Sequence, residues 1–367
     1  MKSGNITLLI GPCYAGKTTE LIRQINRHKV MQKKVCLVLP LDKKENIQKF
    51  SFLKGQVLLT SLLVDVLTNP VFEQADIIAI DDLHFFKDSL KVIPIMADKF
   101  NKKVICAGLD NDCQRNLYTN TVELVPKAEY VQKLTAFCAK EINSTPAIFS
   151  IEKDGDYIPV SRKAFLGRDA GYLHIITGPM FSGKTTELIR IAKKYQSIKK
   201  KILAVNYSKD TRYDSEANIF SHDKQKFESN LALDSLNILI DNPAVLESDV
   251  ILIDEIQFFR DCFPVIQKLI EDYNKIVIIS GLDGDYLQQP FGDICKLIAF
   301  ADKLSRLNAI CKLSSDYPDA SFTRRIANSD KVEFIGSDDS YIAVSRFMYN
   351  LPIEEFLLRL GKEESLE

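Results

Sequence analysis

The chain has 367 residues, 46% of them hydrophobic, and its 48 basic and 49 acidic side chains leave a net charge of −1. That length suits two domains of about 180 residues, each able to bury its own core, and the neutral balance argues against nucleic acid or a charged membrane surface as a partner. No apolar run approaches the roughly 20 residues of a bilayer span, the Met1–Asn5 lead is expected to hold no signal peptide, and eight cysteines without a C-x-x-C pair are expected to stay reduced in a cytoplasm.

From the N-terminus, the apolar run Ile6–Ile10 reads as a buried parallel strand, and Thr19–Lys29 as a helix. Between them stands GPCYAGKTTELIR, starting at Gly11. It fits G-x-x-x-x-G-K-[ST], in which glycines let backbone N–H groups face phosphate oxygens, the lysine reaches the outer phosphates and the hydroxyl meets Mg²⁺. Next come ADIIAIDDLHFF (Ala75–Phe86), KKVICAGLDND (Lys102–Asp112), VQKLTAFC (ending at Cys138) and DYIPVSRKAF (Asp156–Phe165). A short junction, Leu166–Gly171, is followed by the same series again. The run Leu173–Ile176 leads into GPMFSGKTTELIR at Gly178 and a helix over Thr186–Tyr195. SDVILIDEIQFF (Ser248–Phe259), KIVIISGLDGD (Lys275–Asp285), LSRLNAIC (ending at Cys311) and SYIAVSRFMY (Ser340–Tyr349) complete it.

The offset between the copies grows from 167 residues at Gly11 and Gly178 to 173 at Asp81 and Asp254, then to 184 at Tyr157 and Tyr341. The second copy therefore carries two insertions, both expected near substrate. Alternating β-branched runs and helical stretches predict an α/β fold: two tandem P-loop domains, each a parallel sheet flanked by helices with a C-terminal flap. The domains are read as 1–168 and 169–367, with a polar flap at about 312–345 and a helical, frayed tail at 352–367.

Asp254 closes the run Val250–Ile253, where a P-loop protein keeps its second Mg²⁺-site residue. Strand alternation turns the next carboxylate, Glu255, the other way, free to accept a proton from an attacking hydroxyl.

The second half resembles the cytosolic-type thymidine kinases, a family with bacterial and poxvirus members. The resemblance rests on Gly178–Thr185, KDTRY (Lys209–Tyr213), SHD (Ser221–Asp223), DEIQFF (Asp254–Phe259), LDGDY (Leu282–Tyr286) with PFG (Pro290–Gly292), TRR (Thr323–Arg325), and VEFIG (Val332–Gly336) with Tyr341. It spans nearly all of residues 172 to 349 and implies phosphate transfer from ATP to the 5′-hydroxyl of thymidine, with deoxyuridine as a second acceptor. Glu255 is then the general base, with Lys184 and Arg212 stabilising the transferred phosphoryl. ATP is expected on Gly178, Pro179, Met180, Phe181, Ser182, Gly183, Lys184, Thr185, Thr186, Asp210, Thr211, Arg212, Asp254 and Gln257. Mg²⁺ is expected on Thr185, Asp210 and Asp254, partly through water. Met180, Phe258, Leu282, Tyr286 and Phe291 would wall the nucleoside pocket, with Glu255, Thr323 and Arg325 beside it. Val332, Glu333, Phe334, Ile335 and Gly336, with Tyr341, would form a lasso that reads the pyrimidine by main-chain hydrogen bonds. Many family members flank the lasso with two C-x-x-C pairs on zinc; here those positions are Cys311, Ser314, Ser345 and Met348, so no zinc is expected. The family is oligomeric, so the halves are expected to pair, and two chains to form a pseudo-tetramer; a product triphosphate is a further expected ligand.

The first half departs from this pattern. Asp82 stands for the glutamate, His84 for the glutamine and Cys113 for the pocket tyrosine; the D-T-R-Y segment is absent and the flap is shorter by eleven residues. Residues 1 to 166 are therefore expected to lack transfer activity, although Lys17 and Thr18 suit phosphate. The competing expectation is a P-loop switch that phosphorylates no metabolite. A switch would need neither Glu255 nor the lasso around Tyr341.

Overall fold

The computed structural model describes residues 3–53, 55–209, 218–220, 226–228, 231–314, 318–326 and 340–364. The chain divides into two compact units, Met1–Phe165 and Leu166–Glu367. In the first, β1 (Asn5–Ile10), β2 (Val35–Pro40), β3 (Val57–Thr60), β4 (Ile77–Ile80), β5 (Lys103–Gly108) and β6 (Tyr130–Lys133) form one sheet in the order β3-β2-β4-β5-β1-β6. Every pairing in it is parallel. Two short antiparallel pairs follow: β7 (Ala136–Phe137) with β8 (Pro146–Ala147), and β9 (Phe149–Lys153) with β10 (Asp156–Val160).

The second unit repeats the plan with β11 (Tyr172–Thr177), β12 (Ile202–Tyr207), β13 (Asn218–Phe220), β14 (Lys226–Glu228), β15 (Leu231–Leu233), β16 (Val250–Ile253), β17 (Ile276–Gly281) and β18 (Lys303–Arg306). Its sheet order is β15-β12-β16-β17-β11-β18, again all parallel, while β13 and β14 pair separately. β19 (Ala309–Ile310), β20 (Asp319–Ala320), β21 (Phe322–Arg325) and β22 (Tyr341–Val344) form the counterpart of the flap. The central strands are apolar throughout because helices cover both faces: all four residues of β4 and of β16 are buried.

The helices after β1 and β11 run over Lys17–Val30 and Lys184–Ser197. They begin at the motif lysines, two residues earlier than apolar periodicity indicates, because the glycine-rich turn itself winds into the first helical turn. Gly178 takes φ 141°, and a side chain there would collide with the Leu307 carbonyl; Gly11 takes φ 145° against Leu134.

The flaps differ most. In the first unit β9 and β10 join through the two-residue turn Asp154–Gly155, both at positive φ (53° and 82°). Tyr157 faces Glu152 there, as Tyr341 faces Arg325 in β21–β22. The tail forms a helix, Ile353–Glu364, and Phe356 is fully buried. The Arg324 guanidinium lies 3.9 Å from the Phe356 ring centre and donates to the carbonyls of Met348, Tyr349 and Leu351 at 2.5, 3.1 and 3.0 Å. Thus the tail's first turn is anchored to the foot of the flap.

His174 on β11 is buried with Nε2 2.9 Å from the Ser305 hydroxyl. Burial pushes it down to about 4, and pushes His84 in the first unit down to about 3. Both rings stay neutral in the fold and take up protons on unfolding below roughly pH 6.5. Their contribution to stability is therefore complete above that pH and shrinks as pH falls toward 4. Thermal stability is expected to fall progressively below about pH 6.5, and His174→Gln, which can still bond Ser305, should lose less over that interval.

Candidate active site

The parallel order sets the carboxyl ends of β16, β17 and β11 side by side. Asp254 follows β16 and is buried; its carboxylate accepts from the Ser280 hydroxyl on β17, from the Glu255 N–H at 3.0 Å and from Thr185 after β11. Burial, then the neighbouring Glu255 charge, pushes Asp254 up from the usual carboxylate range. The first unit repeats two of these three contacts: the Thr18 hydroxyl donates to Asp81 at 2.9 Å, the Asp82 N–H donates to it as well, and burial, then the Asp82 charge, pushes Asp81 up to about 6. Ala107 stands there where β17 has Ser280.

The phosphate loop has the same form in both units. Lys184 Nζ donates to the Pro179 carbonyl at 2.7 Å and Lys17 to Pro12 at 2.5 Å. Phe181 and Tyr14 take φ near 60°, and Gly183 and Gly16 take φ 79°. Ser182 donates to the Pro179 carbonyl, and Thr186 lies in the first helical turn.

Glu255 does not continue the strand. β16 ends at Ile253, and Glu255 has left-handed backbone, φ 53° and ψ 42°, opening the 3-10 turn Ile256–Phe258. This turn, not strand alternation, directs its carboxylate. Gln257, buried, donates from Nε2 to Glu255 Oε2 at 2.6 Å and accepts from the Leu282 N–H at 3.0 Å. Phe258 packs edge-on to Phe291 with centroids 5.6 Å apart, and stacks on Tyr207 at 5.1 Å and 20°. Across the loop, the Met180 N–H donates to Thr323 Oγ1 at 3.0 Å, joining the foot of the flap to the phosphate loop. Arg325 lies 3.8 Å from the Tyr286 ring centre and donates to the Tyr341 hydroxyl at 2.7 Å.

The structure thus gathers the expected residues into two groups. Gly178 to Thr186 with Asp254 line the strand ends; Glu255 and Gln257 connect them to Leu282, beside Phe258 and Phe291. Met180, Thr323, Arg325, Tyr286 and Tyr341 form the second group. Asp210, Thr211, Arg212 and Val332 to Gly336 lie outside the described residues, as do Ser221 to Asp223. Sequence reasoning missed Ser280, although it is the polar residue closing the run Ile276–Ser280. It also missed Tyr207, which no local pattern marks, and the buried pair Arg306–Asp283 at 2.7 Å, matched by Lys133–Asp110 at 2.8 Å.

The sequence model of the thymidine kinase family matches residues 4–160 and 171–349. The chain belongs to the thymidine kinase family. It is 40% identical over 183 residues to the thymidine kinase of sheeppox virus (strain KS-1), covering 50% of this chain and 99% of that protein. Thymidine kinase 1 of Dictyostelium discoideum is 41% identical over 185 residues, 49% of this chain and 78% of its own length. The thymidine kinase of Yaba monkey tumor virus (strain VR587) is 41% identical over 180 residues, 49% and 95% respectively. The relatives are therefore about half as long as this chain in aligned extent, whereas the family pattern occurs in it twice.

Within this thymidine kinase fold the Arg306–Asp283 pair ties β18 to the loop carrying Leu282 and Tyr286, and Arg306 also donates to the Ser321 carbonyl at 3.3 Å. Removing one partner leaves a buried charge uncompensated. Arg306→Met is expected to destabilise the second unit by about 3–5 kcal/mol in urea unfolding, with Asp283→Asn/Arg306→Met recovering part of that loss.

Proposed function

We propose that the second unit transfers the ATP γ-phosphate to the 5′-hydroxyl of thymidine, and that the first unit performs no transfer. The observation that carries this reading is the line Asp254–Glu255–Gln257–Leu282, which sets a carboxylate between the phosphate loop and an aromatic pocket. Glu255 is the general base on the 5′-hydroxyl. Lys184 and Arg212 stabilise the charge on the moving phosphoryl group, a task of positioning and electrostatics. The Thr185 hydroxyl and Asp254 carboxylate are hard oxygen donors beside the phosphate loop, a set that suits Mg²⁺; Asp210 adds a third in this proposal. When bound, Mg²⁺ neutralises phosphate charge. Met180, Phe258, Leu282, Tyr286 and Phe291 hold the nucleoside, and Val332 to Gly336 with Tyr341 read its base. Ser345 caps the N–H of Met348 and Cys311 lies with Met348 in one apolar cluster. We take packing, not zinc, to hold that flap, and the free thiols to suit a reducing cytoplasm.

The first unit keeps the phosphate loop but not its acceptor side. Asn46 Nδ2 donates to Asp82 at 3.0 Å and is itself held by Lys49 at 2.8 Å, so the shorter carboxylate is engaged within its own unit. The Asp154–Gly155 turn replaces the lasso, and the Tyr14 hydroxyl donates to Asp156 at 3.3 Å. Cys113 supplies no ring where Tyr286 stands. These features support a unit unable to read a nucleoside.

Phosphate transfer from ATP to labelled thymidine by wild type, Glu255→Gln and Asp82→Asn tests both halves of the proposal. Glu255→Gln is expected to lose about 10²–10⁴-fold in kcat, as for removal of a general base, and Asp82→Asn to stay near wild type. Comparable losses in both variants would make the first unit catalytic.

A further inference from the structure

We infer that Gln257 is a positioning residue that holds the Glu255 carboxylate in its orientation toward the acceptor hydroxyl; this rests on the role of Glu255 proposed above. The Leu282 N–H can only donate, so the amide atom it meets at 3.0 Å is Gln257 Oε1. That fixes the orientation of the amide, and Nε2 must then point to Glu255 Oε2, 2.6 Å away. A buried donor held on one carboxylate oxygen limits how the Glu255 carboxylate can turn. Because Gln257 is only 4% exposed, water cannot readily substitute for either bond.

The neighbouring strand makes room for this amide. A side chain at Gly281 would collide with Gln257 Oε1 and with Ile256. Gly281 is not among the residues with positive φ, so its backbone conformation does not require glycine; the space does. The first unit supplies the contrast. His84 Nδ1 accepts from the Leu109 N–H at 3.3 Å, preserving the acceptor half of the arrangement, while Asp82 takes its donor from Asn46 instead. The bridge from base to pocket wall is thus built in one unit and split in the other.

The test is steady-state kinetics of the full chain with ATP and thymidine, using Gln257→Glu, Gln257→Met, Glu255→Gln and the double variant Glu255→Gln/Gln257→Met. Gln257→Glu keeps the acceptor for Leu282 and removes the donor to Glu255. Both single variants at Gln257 are expected to lower kcat about 10- to 100-fold, as a small misplacement of a reacting group does. Both KM values should stay within about threefold; melting reports the separate cost of leaving the Leu282 N–H unpaired in Gln257→Met and of setting two carboxylates together in Gln257→Glu. Since Gln257 acts through Glu255, the double variant should be no slower than Glu255→Gln alone. A double variant slower by the full Gln257 factor, an unchanged kcat, or a raised KM for ATP at constant kcat would each overturn the inference; the last would make Gln257 a nucleotide contact. Active wild type with inactive Glu255→Gln keeps the kinase reading intact whichever way Gln257 falls.

Discussion

The Asp254 carboxylate joins the ends of three adjacent strands, and the site is arranged around it. It takes the Thr185 hydroxyl from the phosphate loop after β11, the Ser280 hydroxyl from β17, and the N–H of Glu255, the residue that follows it. A buried carboxylate is costly unless such donors surround it. Meeting that requirement fixes where the chain leaves β16, and the left-handed residue at that exit is Glu255. Backbone in this region is uncommon for a non-glycine residue and clusters at functional sites. The same exit, with φ 54°, carries Asp82 in the first unit. The frame was therefore kept in both copies, and the difference lies in what the frame presents.

Three of the local changes between the units lie at the strand ends and the flap. A glutamate held by a glutamine bridge in one is a shorter aspartate held by Asn46 in the other. The fifteen residues between Arg325 and Tyr341 in one correspond to four between Glu152 and Tyr157 in the other, closed by the tight turn Asp154–Gly155. The strand-end serine is an alanine. None of these alters the order or parallel pairing of the sheet, which are common to both units. Fold and phosphate loop are thus common to both units while the residues proposed for the acceptor side differ, because the core depends on apolar runs that those residues do not interrupt.

Much of this was legible in the sequence. Apolar runs such as Ile77–Ile80 and Val250–Ile253 marked central strands, since a strand buried on both faces has no polar alternation to obscure it. The glycines of the phosphate loop and Asp254 were legible from spacing. Glu255 was identifiable by its residue type and neighbours, but its geometry was not, because a left-handed turn breaks the two-residue period from which its direction was read. The Gln257 bridge reaches Leu282, twenty-five residues on, and Arg324 reaches Phe356 from the next strand pair; no local pattern encodes such partners. Ser280 was hidden for the opposite reason: a single hydroxyl at the end of an apolar strand looks like ordinary strand composition.

In the proposed function, one chain holds one nucleoside site. Equilibrium binding of labelled thymidine to the full chain, with a non-hydrolysable ATP analogue present, measures this directly. Saturation at one thymidine per chain, abolished by changes at the second unit's pocket, is the predicted result. Saturation at two per chain would contradict it, because the first unit would then read a nucleoside without a lasso.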